Sequence, residues 1–358
     1  MYLPLLRKFK KNIKKYIIIG IILFSFSISF LLIRLNKNTE ILERNKIIEL
    51  CSNIKEDEDG IKKVQQPFFY IAALIYNNEN ILPQFSQELL DLIQILGRKN
   101  TYVSIFENGS QDKTKEMLSL LKEQLEERYI DHTITMETWK RDRREDRIGI
   151  LARLRNKVLY KLSEFNENED LVIKVIFLND IYFRKEDILE LIKTRSCKYD
   201  MACAMDFYFS FYDTWVTRDL NGESCTGIYP YFRDPQAQNA LRRNEPFNVY
   251  SCWNGVVVFD GKSIEDILFR KRTANECSAS ECLLVCRDLW SKNRTDIVLN
   301  PNVKVSYEPF WYWAHHTFMP VLNFFFGLFN NPQPSLKYAK IDNLEREVNP
   351  HNLDCKPR

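Results

Sequence analysis

The chain predicts an α/β protein built on a mainly parallel sheet, and three observations lead there. Phe68–Tyr76 and Leu171–Leu178 are continuous apolar, aromatic and β-branched runs, the composition of strands covered on both faces. Segments with apolar residues at three- and four-residue spacing separate such runs. Acids or amides follow the strands. Strands alternating with helices imply right-handed crossovers, hence parallel neighbours.

In order, Phe68–Tyr76 is the first strand, broken by Asn77-Asn78-Glu79-Asn80. Leu82, Phe85, Leu89, Leu90, Ile93 and Leu96 then trace one helical face, with Gly97 as the stop. Thr101–Phe106 is a strand and Asp112–Arg128 a helix with Met117, Leu118, Leu121 and Leu125 inward. Thr133–Met136 is a short strand, Ile148–Leu162 a helix, Leu171–Leu178 a buried strand, Asp187–Lys193 a helix and Met201–Met205 a strand. After about residue 206 the pattern loosens into aromatic loops with Gly and Pro, and a late strand is expected at Gly255–Phe259.

The 358 residues suffice for one large domain or two small ones, and 45% apolar with 28% charged residues places the chain among globular proteins. Arg7, Lys8, Lys10, Lys11, Lys14 and Lys15 precede Tyr16 with no acid among them, so the formal charge of +3 hides a mildly acidic body. That distribution argues against a nucleic-acid partner. Tyr16–Ile33 carries no charge and is just long enough to cross a bilayer, since about 17–25 helical residues are needed. The basic residues before it place the N-terminus in the cytoplasm. The expected organisation is a basic tail over 1–15, a single transmembrane helix over 16–33, and a stem over 34–66. A catalytic domain over 67–310 follows, then an aromatic segment and polar tail over 311–358. The expected location is a Golgi or ER membrane, with the domain in the lumen.

Of nine cysteines, Cys277, Cys282 and Cys286 are near enough in sequence to be disulfide candidates, although connectivity is not legible from spacing. Two glycosylation sequons begin at Asn108 and Asn293, and the second is preferred because the first falls in a strand-end motif.

Ligands of open parallel sheets lie beyond the carboxyl ends of the strands. Those ends carry Asn77, Asn78 and Glu79, then Glu107 through Asp112, then Asn179 and Asp180. Any one such acid is commonly a helix cap, and Asp112 reads that way. Together they mark the edge where a nucleotide would lie, with Asn77, Glu79, Glu107 and Asn179 as candidate binding residues. Arg153 and Arg155, on the following helix, are candidates for diphosphate oxygens.

The chain resembles the cryptococcal capsule-associated α-1,3-mannosyltransferase family. The resemblance rests on Tyr76-Asn-Asn-Glu79, Glu107-Asn-Gly-Ser-Gln-Asp-Lys-Thr114, Ala152-Arg-Leu-Arg-Asn156 and Phe177-Leu-Asn-Asp180. It continues through Asp206-Phe, Phe211-Tyr-Asp-Thr214, Tyr229-Pro-Tyr-Phe232, Ser251-Cys-Trp-Asn-Gly255, Ser280-Glu-Cys-Leu283 and Leu299-Asn-Pro-Asn-Val303, in order from about residue 68 to 307. It implies a GT-A glycosyltransferase fold, a GDP-mannose donor, a glycan acceptor, Mn²⁺ or Mg²⁺, and retention of the α configuration. Carried onto this chain, Glu107 faces the nucleotide, Asp180 the metal, and Arg153 or Arg155 the diphosphate. Asp206 and Asp213 become acceptor-side or metal-side carboxylates, and Glu281 lies near the acceptor hydroxyl. Trp253, beside Asn254, stacks on a sugar ring or belongs to the core. His315 and His316 are a late metal ligand or part of an aromatic core. Asn179-Asp180-Ile181 stands where a full Asp-x-Asp is usual, which leaves the metal-binding atoms open. Another nucleotide-sugar donor, or a silent scaffold with the same fold, are the competing readings.

Overall fold

The first apolar run becomes the long strand β2 (Lys62–Ile75), which begins as a hairpin with β1 (Asn53–Glu56). The structure is a computed structural model that describes residues 38–56, 60–138, 146–274, 276 and 278–330. The expected basic tail and membrane span, residues 1–33, lie outside the described residues, as do Cys277 and the tail beyond 330. Among the described residues no helix is long and apolar enough to cross a membrane. The described residues divide into two units between Lys46 and Ile47. The described part of the first is helical, within α1 (residues 38–51), and everything below concerns the second.

Alternate residues of β2 enter opposite cores. Phe68, Tyr70 and Ala72 join one apolar cluster and Phe69, Ile71, Ala73 and Ile75 the other. That explains why the strand is apolar at every position and not at every second one. Helix α2 (Leu82–Leu96) buries Leu82, Phe85, Leu89, Leu92, Ile93 and Leu96. It stops at Gly97, whose φ of 96° suits a residue without Cβ and whose N–H bonds the Ile93 carbonyl at 2.8 Å. Then follow β3 (Thr101–Glu107), α3 (Thr114–Glu127), β4 (Asp131–Met136), α4 (Arg147–Val158), α5 (Leu162–Asn166) and β5 (Leu171–Leu178). Asp146 caps α4, accepting from the N–H groups of Ile148 and Gly149.

Next come α6 (Lys185–Ile192), β6 (Met201–Phe207), α7 (Pro235–Arg242), β7 (Phe247–Asn248), β8 (Val256–Asp260), α8 (Gly261–Ile264), α9 (Glu281–Ser291), β9 (Ile297–Ser306), α10 (Pro309–His316) and α11 (Met319–Phe329). The sheet runs β4-β3-β2-β5-β8-β6-β9-β7. Its pairs β4–β3, β3–β2, β2–β5 and β6–β9 are parallel, while β8 lies antiparallel between β5 and β6, and β7 antiparallel to β9. The mainly parallel α/β architecture is therefore present, with two reversed strands. Lys174 interrupts the apolar β5 and is 2% exposed, but its ammonium is paired with Asp260 at 3.1 Å and bonds the Cys197 carbonyl at 2.8 Å.

Four regions depart from expectation. The loop-like stretch after residue 206 holds α7, α9 and β9. The expected single helix over 148–162 ends at Val158 and a separate turn, α5, follows. Asp112 is not the formal cap of α3, yet it does cap-like work, accepting the Thr114 N–H at 3.0 Å and the Glu79 N–H at 3.1 Å. The disulfides join Cys51 to Cys197 and Cys203 to Cys252. Cys282 and Cys286, expected as candidates, are buried thiols on α9, whose shared face packs into the core. Asn293 is exposed in the turn after α9.

Cys51–Cys197 closes a loop of 146 residues, so its constraint falls mainly on the unfolded chain. Cys51→Ala is expected to lower the unfolding free energy by about 2–4 kcal/mol. Urea titration checks this, and dithiothreitol should destabilise the wild type by more than the variant, which has only Cys203–Cys252 left to reduce.

Candidate active site

The carboxyl ends of β2, β3, β5 and β6 and the segment entering β8 meet at one edge of the sheet. The β2–α2 and β3–α3 loops are laced together there. Asn77 donates its N–H to Ser110 Oγ at 2.8 Å and accepts the Gln111 N–H on Oδ1 at 2.9 Å. Asn78 donates its N–H to Thr114 Oγ1 at 2.7 Å, and Glu79 accepts the Lys113 N–H at 3.1 Å. The side chains of Asn77 and Glu79 therefore hold loops. Asn78 does more, because its Nδ2 reaches Asp180 Oδ2 at 3.4 Å.

Glu107 ends β3 fully buried. Its Oε1 accepts the Ser110 N–H, while Oε2 has no hydrogen-bond partner and lies 3.7 Å from Lys115 Nζ. A buried carboxylate oxygen without a hydrogen bond is costly, and here the ion pair with Lys115 is what offsets it.

Asn179 and Asp180 follow β5 directly. Asp180 is partly buried, and desolvation raises its pKa against the opposing pull of the Asn78 bond and Arg155. Arg155, on α4, is 7% exposed. Its Nε donates to Glu281 Oε1 at 3.0 Å and its Nη1 to Asn179 Oδ1 at 3.3 Å, and its guanidinium lies 4.4 Å from the Trp253 ring centroid. Glu281 opens α9 beneath the Ser280 cap and also accepts from the Ser280 hydroxyl at 3.0 Å.

Arg153 is elsewhere. Two residues along a helix point to different sides, and Arg153 faces an open cleft of about 690 Å³ with Asp146, Phe269 and Lys271. Between the two candidate arginines, the structure brings Arg155 alone to Asp180.

Trp253 is 2% exposed and packs edge-on to Phe177 at 5.2 Å and Phe269 at 5.5 Å. Of its two expected places, it occupies the core. Its Nε1–H donates to Asn179 Oδ1 at 3.2 Å, the atom Arg155 also uses. Asn254 and Gly255 turn the chain into β8 with φ of 54° and 78°. A Cβ on Gly255 would sit 2.8 Å from Ile181 Cγ2 and 3.1 Å from Val305 Cγ2. Asn254 is buried, accepting the Thr217 hydroxyl and donating to the Ala204 carbonyl, each at 2.7 Å.

Asp206 and Asp213 lie side by side, and their oxygens are in use. Asp206 accepts the Tyr307 hydroxyl at 2.8 Å and the Asp213 N–H at 3.1 Å, and Asp213 accepts the N–H groups of Val216 and Asn254. Burial, then their mutual repulsion, raises the Asp206 pKa, and burial raises that of Asp213. They clamp the 206–217 loop to β8 and β9. His315 and His316 stand apart from these acids, His315 stacked on Phe207 at 3.9 Å and His316 bonded to the Tyr312 carbonyl.

Among the described residues no group of three or more His, Cys, Asp or Glu side chains is arranged to hold a metal ion. A hard divalent cation bound chiefly by substrate phosphates needs only one or two carboxylates. Asp180, with one side-chain bond from Asn78, fits that mode.

The family described as cryptococcal mannosyltransferase 1 matches residues 68–288, more than half of the chain. The chain belongs to this family. The α-1,3-mannosyltransferase CMT1 of Cryptococcus neoformans var. neoformans serotype D is 30% identical over 270 residues, 66% of this chain and 57% of that protein. The chain thus spans less than two thirds of that relative's length. Among solved structures, S. aureus TarS aligns over 67% of this chain and 36% of its own at 14% identity, with a TM-score of 0.40. The mannosyltransferase PcManGT of Pyrobaculum calidifontis aligns over 86% and 77% at 13% identity, with a TM-score of 0.38. The family match covers each strand end of the site; Tyr307, which bonds Asp206, lies beyond it. Tyr307 was absent from the sequence-derived site, and Asn78 was named at the first strand end without a role of its own, because their roles are contacts across more than a hundred residues.

Two predictions follow from this geometry. The Asp206 pKa is raised to about 8, above the unfolded carboxylate value, so the native state holds the extra proton, and this group's contribution to stability is full below about pH 4 and is lost as pH rises toward about 8. Asp206→Asn should flatten that part of a pH series of urea denaturations. Gly255→Ala should cost about 1–3 kcal/mol in the same assay, since it combines positive φ with close contacts to the buried β-branched side chains of Ile181 and Val305.

Proposed function

We propose that the chain is a lumenal glycosyltransferase that moves mannose from GDP-mannose to a glycan hydroxyl in α-1,3 linkage with retention, on a GT-A domain. The observation that carries this reading is the strand-end group of Asp180, Asn179, Arg155 and Glu281, at the edge where a parallel sheet presents its ligand sites. Membership of the mannosyltransferase family, and the α-1,3-mannosyltransferase among its relatives, support the mannosyl and linkage parts.

In this reading Glu107 Oε2 accepts a base N–H. Guanine offers two adjacent donors on one edge, which suits a carboxylate. Glu107 lies two strands from Asp180, about 10 Å at the usual strand spacing, so base and diphosphate span the two. Asp180 would hold Mn²⁺ or Mg²⁺ together with diphosphate oxygens, and the ion would neutralise charge on the departing diphosphate. Arg155 is spent on Glu281 and Asn179, so it acts by fixing the Asn179-Asp180 turn. Its cationic field at that turn also favours a diphosphate there. Glu281, held on one oxygen by Arg155 and on the other by Ser280, is oriented as the carboxylate nearest an acceptor. Asp206 and Asp213 set the wall behind it. The two disulfides suit an oxidising lumen, which supports the Golgi or ER reading.

Full-length protein, purified in detergent with Mn²⁺, should turn over GDP-mannose in preference to UDP-galactose and UDP-N-acetylglucosamine. Asp180→Ala should lower kcat at least about a hundredfold with its melting temperature kept, as expected for loss of a metal-holding carboxylate. Arg155→Lys keeps the charge but loses the two-pronged hold, and should cost at least about tenfold. Equal turnover by Asp180→Ala would sink the assignment of Asp180, and no turnover with any donor would favour a scaffold.

A further inference from the structure

Under α11 lies a second cavity of about 520 Å³, to which none of the residues placed at the donor site contributes. Its walls are aromatic, from Phe207, Tyr229, Tyr231 and Phe324. Two cations line it, and neither has a carboxylate partner among the described residues. Lys304 Nζ makes one long bond, 3.5 Å to the His315 carbonyl, and burial alone lowers its pKa. The Arg242 guanidinium is bonded only to the neutral side chains of Asn239 and Gln238, each at 3.3 Å.

The third polar group is His315. It is 2% exposed and lines the cavity, its ring stacks on Phe207 at 3.9 Å, and its Nε2 has no partner. Burial lowers its pKa to about 4, so the ring is neutral at physiological pH and this nitrogen can take a hydrogen bond from a hydroxyl. Buried polar atoms are normally satisfied, and one left open in a cavity wall marks a place for a ligand atom.

Helix α11 itself is thinly covered. None of its residues is buried: Phe324 at the cavity is 65% exposed, and Val321, Phe325 and Phe329 are 59%, 53% and 89% exposed. From Pro309 to Asn330 the sequence has no Asp, Glu, Lys or Arg. At about 1.5 Å per residue, eleven residues reach about 16 Å, half a bilayer's apolar thickness, so this helix can lie along a membrane surface and cannot cross it. Trp311 and Trp313 on the preceding helix are residue types that favour the same interfacial depth.

We propose that this cavity binds one anionic phospholipid. Its phosphate pairs with Lys304 and Arg242, a headgroup hydroxyl donates to His315 Nε2, and its chain runs between the aromatic walls and α11 while the outer face of α11 lies in the bilayer surface. Lys304, largely buried and without a carboxylate, calls for an anion, the exposed Arg242 lines the same cavity, and the aromatic walls suit hydrocarbon. A nucleotide or sugar phosphate would satisfy the first and leave Phe325 and Phe329 in water. The site is separate from that of the proposed transfer reaction and does not rest on it.

The test uses the full chain in mild detergent, with short-chain phosphatidylinositol and phosphatidylcholine of equal chain length, read by melting temperature and by calorimetric titration. Phosphatidylinositol should bind at least about tenfold more tightly than phosphatidylcholine. Lys304→Met should weaken it by at least about tenfold, the scale of one charge-assisted contact. If Lys304→Met does not fold, Arg242→Gln, on an exposed side chain, asks the same question. Equal binding of the two lipids, undiminished binding by the variants, or an equal shift from inorganic phosphate alone would each overturn the proposal.

Discussion

A guanidinium placed in the interior loses several kcal/mol of hydration, and it stays charged there only if its surroundings return that energy through good geometry. Arg155 meets the condition with three different kinds of partner at once: the Glu281 carboxylate, the Asn179 amide and the Trp253 ring. Because these sit at the start of α9, the end of β5 and the entry to β8, the arginine is what the strand-end geometry hangs on. Its loss would leave Glu281 as an uncompensated buried charge and free the turn that carries Asp180. Core packing around Phe177 and Phe269 excludes water from the arrangement and so keeps these polar contacts strong.

The amino-terminal half of the fold was legible because its strands are buried on both faces and its helices keep a clean apolar stripe. Leu171–Leu178 and the helix ending at Gly97 appear within a residue or two of where the pattern puts them, while the strand expected at Phe68–Tyr76 starts already at Lys62, inside the stretch expected as a stem. The later half was obscure for local reasons. Strand β9 contains Asn300, Pro301 and Asn302, residues that normally punctuate loops, and here Asn300 is buried against the Thr194 hydroxyl at 2.9 Å. Helix α9 is signalled by the Ser280 cap, but its apolar face includes cysteines that spacing suggested as bridge candidates.

The site was legible as a set of types and not as a set of roles. Acids at strand ends identified the edge. Which arginine belongs there depends on the rotation of α4, and which acids stay engaged in the scaffold depends on partners such as Tyr307 far along the chain. The pairing of Cys51 with Cys197 likewise rests on tertiary placement that no local spacing encodes.

The fastening of the loops has a mechanical corollary. On one side of the cleft, the β2–α2 and β3–α3 loops are stitched into a single jaw by Asn77, Glu79 and Asp112. On the other, Cys203–Cys252, the Asp206–Asp213 clamp and the Asn254-Gly255 turn weld the second jaw to the sheet. Where the jaws meet, Asn78 touches Asp180 across 3.4 Å, a long bond that an incoming ligand can replace at little cost. Below that contact β2 and β5 are paired directly from Gln66–Leu171 to Ala73–Leu178, so the two jaws share one rigid floor and only the side-chain contact between them is easily exchanged.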